Sequence, residues 1–162
     1  MAPKPARIRQ YGDPILRTKG EPVTRFDDSL RELVDLMFVS MYEAKGVGLA
    51  ANQIGNDLAL FVMDCEGLVA VVANPVLVEL SEEKIVGMEG CLSVAGHHYP
   101  TGRAAEAVVE GLDQFGKPVR YSGSGEIARC LQHETDHLNG RVYLDRLVGE
   151  VRKQARHEVE SV

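Results

Sequence analysis

Cysteine is scarce in this chain, three in 162 residues. That is too few for a disulfide framework, and it fits a reducing cytoplasm. Long apolar runs are missing too: none approaches the roughly 20 residues that span a bilayer, so no membrane partner is expected. The opening Met1-Ala2-Pro3-Lys4-Pro5-Ala6 lacks a secretory apolar segment and reads as a short flexible start, residues 1–6. Positive charge is in deficit. Eighteen Lys and Arg against 24 Asp and Glu leave a formal charge of −6, which argues against general or sequence-specific nucleic-acid binding. What the chain does have is core material. At 44% hydrophobic residues, one domain over residues 1–162 buries an adequate core. No internal repeat or interdomain linker interrupts it.

The densest chemistry lies in Gln132-His133-Glu134-Thr135-Asp136-His137. On a helix, positions i and i+4 stand one above the other, so His133 and His137 can share one metal ion. Glu134 follows the first imidazole, where a carboxylate can take a proton from a water held by that ion. The competing reading is a chance match on a solvated helix. Local signals weigh against it, because Gly123-Ser124-Gly125 suits a helix start and Asn139-Gly140 suits a stop. A catalytic ion usually has three protein ligands, so a third is sought. Cys130 shares the helix face but lies about 10 Å along the axis from His137 at roughly 1.5 Å per residue, too far to bridge. It reads instead as a pocket-lining group. Cys65 follows the apolar run Leu58 to Asp64 and reads as a small buried hydrophobe. Cys91, in Glu89-Gly90-Cys91-Leu92-Ser93, is left as the candidate on spacing alone. His97, His98 and His157 fall in no ligand spacing and are read as non-catalytic.

Three separated segments carry a family resemblance: Gly46-Val47-Gly48-Leu49-Ala50-Ala51-Asn52-Gln53, Glu89-Gly90-Cys91-Leu92-Ser93, and Gln132-His133-Glu134-Thr135-Asp136-His137-Leu138. They resemble the three signature motifs of the peptide deformylases, in that family's order. The similarity runs from about Arg7 to Leu147. It implies a metal-dependent hydrolase that removes the formyl group from formylmethionine on new polypeptides and releases formate. Cys91, His133 and His137 would be the metal ligands and Glu134 the general acid/base. The Gln53 amide and the Leu92 backbone N–H would stabilise the oxyanion. Val47, Gly48, Glu89, Gly90, Glu126, Arg129 and Cys130 would contact or rim the substrate. The resemblance also implies an ion pair between Asp136 and Arg103.

One divalent ion per chain is implied, Fe2+ in the active form, with Zn2+, Ni2+ or Co2+ able to substitute. The implied partners are N-formylmethionyl peptides and nascent chains, met by a cytoplasmic monomer. Residues 148–162 have helical composition, with Leu147, Val151 and Ala155 at four-residue intervals among Arg152, Lys153 and Arg156. This peripheral helix is a possible ribosome-docking element, set against a merely solvated helix face.

The chain departs from the family pattern at four places. Ala95 stands where proline is usual and His98 where many relatives carry arginine. Glu126 and Arg129 fall on a helix wall that is apolar in many relatives. The milder reading of those two is a mutual i,i+3 pair at the pocket rim. The departures keep open a non-catalytic metal- or peptide-binding relative, and the bare H-E-x-x-H keeps open a metallopeptidase.

The expected fold is α+β: short, mostly antiparallel strands around a central metal-binding HExxH helix, with an N-terminal and a C-terminal helix. A helix is predicted over Asp28–Ala44, where Leu30, Leu33, Val34, Met37, Phe38 and Met41 recur at helical spacing. Strands are predicted near 58–63, 68–73, 76–82, 106–112 and 118–121, the last two as a hairpin across Gln114-Phe115-Gly116-Lys117.

Overall fold

Asp27 starts the first helix by accepting a hydrogen bond from the Leu30 N–H at 3.1 Å, which satisfies one of the free N–H groups of the first turn. The helix, α1, runs Asp28–Glu43 and buries Leu30, Val34, Met37 and Met41 along one stripe. It is one element of a computed structural model that describes residues 3–160. The expected flexible start lies partly outside that range. Within it, Ala6 is already tied down, its N–H donating to Ser40 Oγ of α1 at 2.8 Å.

Seven strands and two further helices follow: β1 (Gly48–Ala50), β2 (Leu60–Cys65), β3 (Leu68–Leu80), β4 (Lys84–Cys91), β5 (Val94–Ala104), β6 (Glu106–Leu112), β7 (Pro118–Ser124), α2 (Gly125–Leu138) and α3 (Gly149–Glu160). Five strands form an antiparallel sheet in the order β1-β2-β3-β6-β7, while β4 and β5 pair only with each other. The α+β expectation holds.

Three strand predictions change. The runs at 68–73 and 76–82 are one strand, because Asn74-Pro75 makes a bulge rather than a break. Asn74 adopts φ +53, and its side-chain amide bonds both the N–H (2.8 Å) and the carbonyl (3.0 Å) of Val23. The β6 hairpin strand β7 continues to Ser124. The β4–β5 hairpin went unpredicted altogether. Its outward residues Val86 and Met88 are exposed and apolar, whereas its inward residues Glu89 and Arg103 are buried and charged, the reverse of the usual alternation.

Helix α2 occupies the middle, packed against strands of both sheets. Every residue from Ala128 to Leu138 is buried. It ends where expected: Asn139 caps it and Gly140 turns away at φ +74, where a Cβ would stand 2.6 Å from the Arg17 carbonyl oxygen. One core cluster lies between α1 and β1–β2, and a second between α2 and the larger sheet. A third joins the β4–β5 hairpin to Tyr143, Leu147 and the Ala155 face of α3.

Candidate active site

His133 and His137 lie one turn apart on α2, with their Nε2 atoms 3.2 Å apart. Cys91, at the end of β4, brings its Sγ to 3.3 Å from His137 Nε2. The three donor atoms all fall within 4.8 Å of one another. Two imidazole nitrogens and a sulfur aimed at one point suit a single borderline-soft cation, and three protein ligands leave a coordination position open. The electrostatics agree. Burial opposes charge on His133, yet Cys91 and the carboxylate of Glu89 beside it outweigh that and push the pKa well up. Burial, then the charge of His133, pushes His137 well down.

Behind these groups stands a buried ionic network. Glu89 Oε1 meets His133 Nδ1 at 2.5 Å, which turns Nε2 of that ring toward the convergence point. Arg103 holds both Glu89 oxygens at 2.7 and 3.2 Å and reaches Asp136 at 2.6 Å. Burial works against ionisation of Glu89, but the bonds from His133 and Arg103 prevail and hold its carboxyl below the usual range. Asp136 is likewise held down against its burial by Arg146 and Arg103. The expected Asp136–Arg103 pair is thus present. Arg146, whose Nη2 lies 2.8 Å from Asp136, was not foreseen. Nor were two anchors within the motifs: Asn52 Nδ2 donates to the His137 carbonyl at 2.7 Å, and the Gln132 amide pairs with both backbone groups of Ala104 at 3.0 Å. Their place inside the segments that carry the family resemblance was the signal the sequence offered.

Glu134 is buried and leaves Oε1 without a hydrogen-bond partner among the described residues. Burial raises its pKa to about 7. Its other oxygen faces Gly48, where a Cβ would stand 2.6 Å from Oε2 and 2.9 Å from Cys130 Sγ. Gln53 is buried rather than a surface amide. Its Oε1 accepts from the Ala50 N–H at 2.9 Å, which fixes the flip, so Nε2 faces Ser93 Oγ (3.1 Å) and Cys91 Sγ (3.6 Å). Leu92 is held by its carbonyl, which accepts from Gln10 Nε2 at 2.9 Å.

A cavity of about 610 Å³ opens beside these groups and collects the remaining sequence candidates. Val47 is exposed at its edge, and Gly48, Gly90, Cys130 and Glu126 line it. His97 and His98 line it as well, although neither joins the donor cluster. Two expectations need correcting. Glu89 touches the cavity but is buried, with its carboxylate committed to His133, Arg103 and Arg129 rather than to a rim. The rim pair of Glu126 with Arg129 does not form. Arg129 turns inward to Glu89 because a buried carboxylate is the better partner for a desolvated guanidinium, and Glu126 stays exposed. Cys65 is buried and free, as read, and together with burial it pushes the Cys130 thiol well up, so Cys130 stays a neutral lining group.

Residues 5–153 match the family described as Polypeptide deformylase. The chain is 52% identical over 161 residues to a peptide deformylase of Acidothermus cellulolyticus, covering 99% of this chain and 88% of that one. It is 47% identical over 153 residues to Peptide deformylase 2 of Streptomyces coelicolor, covering 91% and 86% of the two. Among solved structures, it is similar to a peptide deformylase from Legionella pneumophila at TM-score 0.90 and 42% identity, covering 98% of this chain and 95% of that one.

Proposed function

The chain belongs to the polypeptide deformylase family and is a hydrolase that removes the formyl group from N-terminal formylmethionine; from that premise we propose how its own residues divide the work. The whole chain serves as one catalytic domain. Cys91, His133 and His137 hold one divalent ion, Fe2+ in this reading with Zn2+, Ni2+ or Co2+ able to replace it. When bound, the ion supplies Lewis acidity that lowers the pKa of water from about 15.7 toward neutrality.

Glu134 accepts the proton of the attacking water and returns it to the leaving amine. Its Oε1 has no hydrogen-bond partner among the described residues, so that oxygen is free for both halves of the exchange. Charge that develops on the formyl oxygen meets two donors, Gln53 Nε2 and the Leu92 N–H. The first is preorganised by the bond from Ala50 to Gln53 Oε1. Gly48 begins an edge strand and Gly90 lies in a strand paired only on one side, so an extended peptide can add between them by backbone hydrogen bonds. Its first side chain then runs along α2 past Cys130 and Arg129 toward Glu126. The products are formate and a free α-amine.

All of these groups come from one chain, so a monomer suffices. In this reading the substrates are N-formylmethionyl peptides and nascent chains, and the enzyme works on them in the cytoplasm. Among the described residues, no helix is long and apolar enough to cross a membrane. Ribosome docking through α3 gains little from electrostatics. That helix balances Arg152, Lys153 and Arg156 with Glu150, Glu158 and Glu160, and spends its apolar face on the third core cluster.

The observation that carries this reading is the unpaired, buried Glu134 carboxylate beside three converging donors. The test is formate release from a formyl-methionyl tripeptide by anaerobically prepared, Fe2+-loaded protein, with the acetylated peptide as control. Turnover confined to the formyl peptide and abolished in Glu134→Gln is expected. Turnover unchanged in Glu134→Gln would remove it as the base. Cleavage of internal peptide bonds, read by intact mass, would establish a metallopeptidase instead.

A further inference from the structure

Arg129 is an unusual wall for a pocket that receives a thioether. Its guanidinium is drawn beneath β4, where Nη1 donates to Glu89 Oε2 at 2.9 Å and to the Thr101 carbonyl at 2.8 Å, and Nη2 donates to the Ile85 carbonyl at 3.0 Å. These three bonds fix the head. The Nε–H and the second Nη2–H are not used by those three bonds. The side chain lines the cavity, yet the residue is only 8% exposed.

Gly87 provides the space for this arrangement. A Cβ there would stand 3.1 Å from Nη2 and 3.4 Å from Cζ, so any side chain at 87 would press on the guanidinium face. Arg129 and Cys130 thus line the pocket together, the arginine as an anchored, largely buried cation that keeps two N–H groups outside its three bonds. An unoxidised methionine packs on the methylenes of the arginine stem. Methionine sulfoxide, the product of oxidising that side chain, adds a polar acceptor oxygen. An apolar wall would strip water from that oxygen and give nothing back, a loss of about 10- to 100-fold in binding. A held guanidinium replaces the lost water with charge-assisted hydrogen bonds.

We propose that Arg129 extends the substrate range to peptides whose first residue is N-formylmethionine sulfoxide, by donating its free guanidinium N–H groups to the sulfoxide oxygen. The proposal rests on the placement of the first side chain along α2 in the reading above. The chemistry is the same hydrolysis, one water consumed and one formate released. Only the pocket contact is new.

The test compares kcat/KM for three tripeptides that begin with formylmethionine, formylmethionine sulfoxide and formylnorleucine, on the metal-loaded wild-type protein and on Arg129→Met. Wild-type values for the sulfoxide within tenfold of the thioether are expected. In Arg129→Met the sulfoxide-to-thioether ratio should fall 10- to 100-fold, carried by KM, while the norleucine-to-thioether ratio holds. Wild-type discrimination against the sulfoxide beyond tenfold overturns the proposal, and that result needs no variant to fold. An unchanged ratio in Arg129→Met overturns the role of Arg129. Failure to turn over even formylmethionine defeats the underlying reading as well, and the thioether arm shows which has failed.

Discussion

Gly48 has no side chain on the side that faces Glu134: a Cβ on it would lie 2.6 Å from Oε2. The Gly48→Ala variant must therefore displace either the carboxylate or the edge strand β1. We expect kcat to fall on the order of 100-fold, as for other displacements of a reacting group by about 1 Å. Formate release measured alongside thermal unfolding checks this, because a loss of activity with little change in Tm locates the damage at Glu134.

Glu89 aims His133 through Nδ1 and is held for that task by Arg103 and Arg129. In Glu89→Gln the ring loses its ionic partner. Metal affinity should drop about 10- to 100-fold, the usual effect of removing such a support. Competition with a chromophoric chelator measures it, and affinity equal to wild type would show that the contact is idle.

The Gln53 amide is preoriented by Ala50. In the proposed mechanism Gln53→Leu takes away one of the two oxyanion donors, and kcat should then fall about 100- to 1000-fold. If KM rose instead with kcat intact, Gln53 would be a binding group rather than a donor to the developing charge.

Glu134 gives the metal-free protein a pH signature. Burial raises its carboxyl from 4.5 to about 7, so between those values the folded state keeps a proton that the unfolded chain has released. That stabilisation is complete below about 4.5 and is lost as pH rises through about 7. It amounts to about 3 kcal/mol. Urea unfolding of the metal-free protein at pH 5 and pH 8 should show the decline, to which the raised His133 adds and against which the lowered His137 works, and Glu134→Gln should reduce it. Glu89 and Asp136 act in the opposite sense, since their lowered pKa values contribute stability above the usual carboxylate range that is lost in acid.

The two long helices were legible because their signals are local. Leu30, Val34, Met37 and Met41 at helical spacing mark one, Asn139 and Gly140 stop the other, and the spacing of His133 and His137 holds on any regular helix. Cys91 was singled out by its neighbours, though spacing alone could not bring it within 3.3 Å of His137. What stayed hidden depends on partners distant in the chain. Glu89 reads as a solvated or rim charge until Arg103, Arg129 and His133 close around it. The β4–β5 hairpin escaped for the same reason: a strand that turns its charges inward cannot be recognised before its counter-charges are known. Asn74-Pro75 misled differently, because a local turn signal was absorbed as a bulge once Val23 came to pair with the Asn74 amide.

The β4–β5 hairpin shares no strand pairing with the larger sheet and is fastened to α2 by Arg103, Arg129 and the Gln132 amide. It carries Cys91 at its tip while both imidazoles ride on the helix. Peeling the hairpin away would therefore part the Cys91 sulfur from the histidines and uncover Glu89 in one motion. Ion release and local opening of residues 84–104 become a single equilibrium, in which occupancy weights the closed side by mass action. The amide hydrogens of this one segment should then exchange with solvent at a rate set by how much free metal surrounds the protein, while those of β2 and β3 keep their own slow clock.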